Sequence, residues 1–400
     1  MNLLLPNQPI VLLNSRWMNT KVAQAPAQTI VLVVDKNQRA NIGHIRVEGH
    51  SADIVLLAPK GIQCDGCVVE NTPRLTMATG TLNTDNGTVD SFDINGGDVQ
   101  ISGAGFVASQ VALLDIAAGK IIVDGPLRTN MKGREVTRNN QQMKTIDSAG
   151  SLEVSNGDVQ MIVGKNHFRY ADRQSDASYQ FIRSSSLELT NKADIHVGNL
   201  YLESTYDGAS VSLRGRVDVQ GAWVYLGRYQ NKNIVPLESI TVKSNGQIYL
   251  YDQLIAANKV SLESLNNILI EKIGTDSNNL PDNIQGADVN IAAVGSVENT
   301  GSIAAESLYT SANSVLNEGN IEASREIYLN GKNGVINQFG GVIIGENIRL
   351  KSDMDVLNGA LYPFKPAVLC TRSYVTTQNK QLKSVENYRF HRLPDVERAG

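Results

Sequence analysis

The chain has 400 residues, of which 42% are hydrophobic, 19% charged and 6% aromatic, with a formal net charge of −4. That weak negative charge gives no general attraction to nucleic acid or an anionic membrane, and no run of Lys and Arg reverses it locally. The longest apolar stretches have strand length, far short of the roughly 18 residues of a spanning helix, so no transmembrane segment is expected. The length admits one large domain or two to three of about 100–200 residues each. With 34 Gly, many Asn and Ser, and no sustained i, i+3, i+4 pattern, the chain favours short strands and tight turns over amphipathic helices.

At the N-terminus, Met1–Leu13 holds two short apolar runs. No basic segment precedes them, Pro6 interrupts them and no small-x-small cleavage site follows, so this segment is read as the first strands and not as an export signal. Ile30–Val34 and Ile54–Pro59 are apolar runs of strand length. The stretch Gly49–Gly80 contains Ala58-Pro59-Lys60-Gly61-Ile62 and Cys64-Asp-Gly-Cys67. For that cysteine pair a redox site requires a thiolate at a helix N-terminus, whereas the flanks read as strand and turn. Zinc requires two further ligands, and only Cys370 and five scattered His remain. A disulfide and two ordinary free thiols stay open.

Asn83-Thr-Asp85 echoes a motif of pectin-cleaving β-helices, but no Asp-Asp pair or His-Gly follows, and Asp85-Asn-Gly87 reads as a hairpin turn. Met131–Met143 and Lys165–Arg183 break the texture and are expected to loop out. From Ser186 to Leu262, segments such as Ile195–Val197, Val217–Val219 and Ile248–Leu250 alternate with period two between Gly, Asn and Asp turns. Tyr201, Tyr206, Trp223, Tyr225 and Tyr229 are candidates for an aromatic strip that binds sugars, or simply for face-filling residues. Thr275–Gln285 is expected to be another excursion.

The C-terminal half carries a repeat. Asn299-Thr-Gly301-Ser-Ile303 recurs as Asn317-Glu-Gly319-Asn-Ile321, then more loosely at Asn337 and Asn358, in steps of about 18, 20 and 21 residues. Asn tolerates the left-handed conformation and Gly permits positive φ, so each copy is expected to turn a corner. One corner and two or three short strands fill a coil of about 20 residues, and stacked coils bury an apolar column. The fold class expected is all-β, a right-handed parallel β-helix with short extra-helical hairpins or loops.

Gly49–Gly80 resembles the two-partner-secretion (TPS) domain of filamentous hemagglutinins and related hemolysins. In that family an A-x-V-x-x-A strand runs into Asn-Pro-Asn-Gly-Ile, some members follow with C-x-x-C, and a later strand closes on T-x-x-T-G. The matching positions are Ala52 to Ala58, Pro59, Gly61, Ile62, Cys64, Cys67, Asn71 and Leu75 to Gly80, while both motif asparagines are replaced, giving Ala58-Pro59-Lys60-Gly61. Ile10–Ser15, Asn41–Ile45, Gly97–Gly105 and Val159–Asn166 resemble further family segments. The domains expected are residues 1–166 (TPS-like), 167–362 (hemagglutinin-type repeats) and 363–400 (tail or cap).

The resemblance implies a secreted or surface-displayed, non-catalytic adhesin exported by an outer-membrane TPS transporter. Host or neighbour cell-surface glycans or proteins would be its ligands. It also implies a short-loop disulfide between Cys64 and Cys67, and makes Asn14, Ala58, Pro59, Lys60, Gly61 and Ile62 candidates for transporter recognition. No metal, cofactor or catalytic group is expected. The alternatives are a truncated or degenerate exoprotein without independent activity, and a β-helical carbohydrate-active enzyme.

Overall fold

A computed structural model describes residues 10–15, 26–108, 111–129, 135–138, 141–144, 157–177, 185–205, 210–219, 238–274, 281–359, 368–378 and 383–384. Among them there is no helix, and most strands pair in parallel. The chain divides into two compact units, Met1–Asn245 and Gly246–Gly400, each built as a parallel β-helix. Position 166 therefore lies inside the first unit, because strands on both sides of it belong to the same ladders.

In the first unit three parallel ladders run up the stack. The first aligns Ile30, Ile54, Leu75, Leu114, Val159, Leu200 and Ile240 in one row. The second aligns Ala40, Ile62, Val99, Ile121, Leu187 and Val211. The third aligns Cys67, Phe106, Leu127, Ile195 and Val217. From Ile54 onward, every residue of the first row is buried. Such rows remove apolar surface from water at roughly 25 cal/mol per Å², and each strand satisfies the edge of the previous one.

Strands of the first ladder depart from one-sided burial. Asp53–Leu57, Arg74–Ala78, Leu113–Ala118 and Asp158–Val163 are buried at every position. Their outer face is covered by a four-stranded antiparallel sheet made of Thr81–Asp85, Thr88–Ile94, Asn166–Arg169 and Ser175–Ala177. Between the two layers Phe92, Ile94, Phe168 and Tyr170 pack on Val55, Leu57, Ala78, Ala117 and Ile162, forming a second core outside the coils. Phe92 lies 6.2 Å from both Phe168 and Tyr170, stacked on the first and edge-on to the second.

The excursion expected at Lys165–Arg183 does leave the stack, and its described part supplies two strands of this lateral sheet. Glu135–Arg138 and Gln141–Lys144, which begin in the expected Met131–Met143 excursion and end one residue past it, form an antiparallel hairpin. Asn86 and Gly87 turn the first lateral hairpin with φ of 49° and 77°, the positive pair that a tight two-residue turn requires.

The second unit is plainer. Ile284, Ile303, Ile321, Ile343 and Leu369 form one row. Ile268, Val297, Val315, Val335 and Val356 form another. Strands Ser302–Asn317 and Asn320–Asn337 each run through almost a whole coil and bend at register shifts. Part of the expected excursion Thr275–Gln285 is strand, since Ile284 and Gln285 open Ile284–Ala293.

The four repeat asparagines are the last residues of their strands, and none has positive φ. Their side chains point into the stack and are buried. Asn299 Nδ2 donates to Asn317 Oδ1 at 2.8 Å, Asn317 to Asn337 at 2.8 Å, and Asn337 to Asn358 at 2.6 Å. The repeat asparagines thus form an internal amide chain and do not themselves take the left-handed backbone expected of them. At the Asn337 corner, Phe339 and Gly340 take the positive φ instead.

Candidate functional site

The candidate recognition segment is a corner between the first and second ladders. Ala58 O accepts a hydrogen bond from Gly61 N at 2.9 Å, closing a turn with Pro59 and Lys60 at its tip. Ala58, Gly61 and Ile62 are buried, Pro59 is half-buried and Lys60 is exposed. Arg39, from the coil before, and Asp98, from the coil after, pair across this corner through two hydrogen bonds of 2.6 and 2.8 Å. A Cβ on Gly61 would stand 2.7 Å from Asp98 O and 3.0 Å from Arg39 Nη1, so only glycine lets the pair close over it. Of the five residues, Lys60 is the one presented fully to a partner in the folded state.

Asn14 sits elsewhere and is fully engaged. Its Nδ2 donates to Ala27 O and His50 O, and its Oδ1 accepts from Ala27 N. It fastens the first described strand to the next coil, and the structure does not bring it beside the 58–62 corner. Cys64 and Cys67 are joined in a disulfide with Cα atoms 5.4 Å apart, buried on either side of the exposed corner Asp65-Gly66. Asp65 Oδ1 accepts from Ala104 N on the next coil, at 2.9 Å.

A second constellation was not anticipated from the sequence. Arg74 and Asp115 face outward from adjacent strands of the first ladder yet are almost fully buried, with Arg74 Nη2 2.7 Å from Asp115 Oδ2. Arg173, on the turn between two lateral strands, reaches the other oxygen of Asp115 at 2.7 Å. The Arg74 guanidinium lies 3.7 Å from the centroid of the Tyr170 ring, and Tyr170 donates to Asp53 Oδ2 at 3.3 Å.

Burial opposes ionisation of Asp115, but Arg173 and Arg74 outweigh it and hold its carboxyl below the ordinary range. Nearby Asp158 goes the other way, because burial exceeds the help from Arg173 and Asn199. Carboxyls driven apart in this manner can mark acid–base chemistry. Here the cluster is sealed under the lateral sheet, and its geometry is that of an ion-pair network. Its sequence signal was slight: Ile54–Leu57 is a continuous apolar run, which implies two buried faces, whereas Asp115 and Gln160 interrupt the companion strands.

On the outer side of the lateral sheet, His167 Nδ1 lies 2.7 Å from Asp93 Oδ1, and Asn83 Nδ2 donates to Asp93 Oδ2 at 2.8 Å. The hydrogen bonds from Asn83 and then His167 lower the Asp93 carboxyl. Asn83 therefore serves a cross-strand contact. Among the described residues no group of three His, Cys, Asp or Glu could hold a metal, and no helix is long and apolar enough to cross a membrane. Of the aromatic-strip residues, Tyr201 donates to Glu203 Oε2 at 3.0 Å, while Tyr206, Trp223, Tyr225 and Tyr229 lie outside the described residues.

Known proteins resemble parts of this chain. The crystal structure of filamentous hemagglutinin secretion domain aligns over 73% of each chain at 16% identity, with a TM-score of 0.41. A tRNA nuclease CdiA of Yersinia mollaretii is 39% identical over 85 residues, 21% of this chain and 3% of its own length. A tRNA nuclease CdiA of Escherichia coli is 29% identical over 198 residues, 43% of this chain and 6% of its own. The protein adenylyltransferase and cysteine protease IbpA of Histophilus somni is 25% identical over 256 residues, 63% of this chain and 6% of its own. The chain thus spans about 3–6% of the length of these curated relatives. The family model of the TPS secretion domain matches residues 11–250, which is more than half of the sequence and nearly all of the first unit. The chain belongs to the TPS secretion domain family.

Proposed function

We propose that this chain is the transporter-directed part of an exoprotein, carried across the outer membrane by a TPS transporter to the medium or the cell surface. The first unit is the part the transporter selects, with the corner Ala58–Ile62 as the contact and Lys60 as its exposed charge. The observation that carries this reading is the TPS match over residues 11–250. A disulfide at Cys64–Cys67 suits an oxidising destination outside the cytoplasm. The second unit, with its regular coils and long flanks, has the form of a spacer that displays binding surface to host or neighbour cells without catalysis.

The relatives' names favour a second reading. Proteins called tRNA nuclease, adenylyltransferase or protease match only along a small fraction of their length. In this reading the exoprotein delivers a catalytic part lying outside the region shared with this chain, and the coils described above carry it.

The test is secretion with a grafted export signal beside a TPS transporter, scored as folded protein in the medium. Release is expected, and Lys60→Glu is expected to reduce it severalfold without altering the fold. Periplasmic retention, with a control exoprotein released normally, would sink the export reading and favour a remnant without activity. Binding of the released protein to target cells or glycan surfaces then separates adhesion from delivery.

A further inference from the structure

The buried ion cluster joins parts of the chain that emerge at very different times. Arg74 and Asp115 belong to consecutive strands of the first ladder, whereas Arg173 comes 58 residues after Asp115. Arg173 does not stand on the ladders at all. It sits in the turn between Asn166–Arg169 and Ser175–Ala177, at a φ of 59° that an arginine rarely adopts.

That turn is held in advance by its own contacts. Arg169 reaches Asp172, Gln174 and Asp176, its backbone N donates to Gln174 O at 2.8 Å, and Arg173 N donates to Arg169 O at 3.1 Å. On the ladder side Gln160 Nε2 donates to Arg173 O at 2.9 Å, so the side chain is aimed at Asp115 from a fixed backbone. The same segment supplies Phe168 and Tyr170 to the second core.

We propose that Arg173 is a closing bolt: a preformed turn that locks the lateral sheet onto the coils only after the chain through Ala177 is present. Before it arrives, Thr81–Asp85 and Thr88–Ile94 form a hairpin with one partner strand missing, since Asn166–Arg169 pairs directly with Thr88–Ile94. Asp115 then has Arg74 alone, and a buried carboxylate with half its partners holds the outer face in a loosely covered state. The inner rows need no such closure, because each coil is completed by its nearest neighbours.

The covered part of the first unit accordingly matures in two steps: the ladder strands through Val163 first, the lateral sheet second. If the export reading above is right, the outer face of the corner-bearing coils stays loosely covered until roughly the first 177 residues have emerged. The bolt itself does not depend on that reading.

The experiment is pulsed hydrogen exchange during refolding of the full chain, comparing wild type with Arg173→Ala and Arg173→Lys. In the wild type, protection at Leu75, Leu114 and Val159 should precede protection at Phe92 and Phe168. In Arg173→Ala the ladder amides should protect as before, while lateral-sheet amides exchange at least tenfold faster in the final state. Arg173→Lys, which keeps the charge and loses the fork, should fall between. Equal lateral protection in all three proteins would overturn the proposal. So would loss of protection across ladders and lateral sheet together, because the inner rows would then depend on the bolt. Failure of this experiment leaves secretion unaffected, and failure of secretion leaves this experiment interpretable.

Discussion

The two units solve one problem in different ways. In the first, consecutive residues of the main row are 21 apart from Ile54 to Leu75, then 39 to Leu114, 45 to Val159, 41 to Leu200 and 40 to Ile240. From Leu75 onward each step is about twice the first. Two insertions leave at Thr79 and Gly164 and meet as the lateral sheet. In the second unit the row Ile284, Ile303, Ile321, Ile343 steps by 19, 18 and 22, and the asparagine chain runs beside it. Contacts there link one coil to the next. In the first unit, Asp93 pairs with His167 across 74 positions, and Tyr170 with Asp53 across 117. Repetition gives additive, local stability, and insertion makes part of a solenoid cooperative.

The contrast can be broken most forcefully at Phe168. Phe168→Ala should cost the first unit about 3–5 kcal/mol, as for a large aromatic removed from a packed core. Its effect should appear in both insertions at once, at Phe92 as much as at Tyr170. Loss of exchange protection confined to Asn166–Arg169 would show that the lateral sheet is not one unit. Asn317→Ala sharpens the other side of the comparison. It removes the acceptor of Asn299 Nδ2 and the donor to Asn337 Oδ1, and should cost about 1–3 kcal/mol. Lost protection should be limited to the adjoining coils of the second unit, with the first unit unchanged. Spread into the lateral sheet would refute the local picture.

The smallest effect is in acid. Asp115 is held below its reference of 3.8, so its contribution is present above that value and is lost as pH falls through the depressed folded one. Asp158 and Glu203 are raised by burial, so they favour folding when protonated, and that part is lost as pH rises through their elevated values. Lateral-sheet protection should therefore hold or rise modestly as pH falls through the elevated values of Asp158 and Glu203, then decline as it falls through the depressed value of Asp115. The asparagine chain has nothing to titrate, and exchange at Leu308 and Ile327, corrected for intrinsic rates, should stay level. A monotonic loss in the first unit from neutral pH downward would contradict the assigned directions.

The regular half was legible because its signals are local. Alternation in segments such as Ile248–Leu250 spans a few residues and the asparagine period one coil, and in the first unit the Asn86-Gly87 turn is equally local. The lateral sheet was not. Asn166–Arg169 reads as charged and aromatic sequence until Thr88–Ile94 is placed beside it, and no spacing rule links them. Arg74 sits among apolar residues and would ordinarily be read as surface. Its burial depends on Asp115 and Tyr170, which only the stacked register brings near. The repeat asparagines show a subtler gap: their positions were evident, but whether an Asn turns the backbone or joins an internal chain is decided by the coil above it.

That internal chain has a consequence for how such a protein changes length over generations. Asn317 and Asn337 each donate to the next asparagine and accept from the previous one, so the junctions along the row Asn299, Asn317, Asn337, Asn358 present the same pair of chemical faces. A duplicated or deleted segment of one whole coil restores the same hydrogen bond at the seam. A partial coil leaves an amide facing an isoleucine. The amide row thus acts as a ruler on recombination, admitting growth in whole coils and rejecting fractions, while the inserted segments of the first unit fix that region at one size.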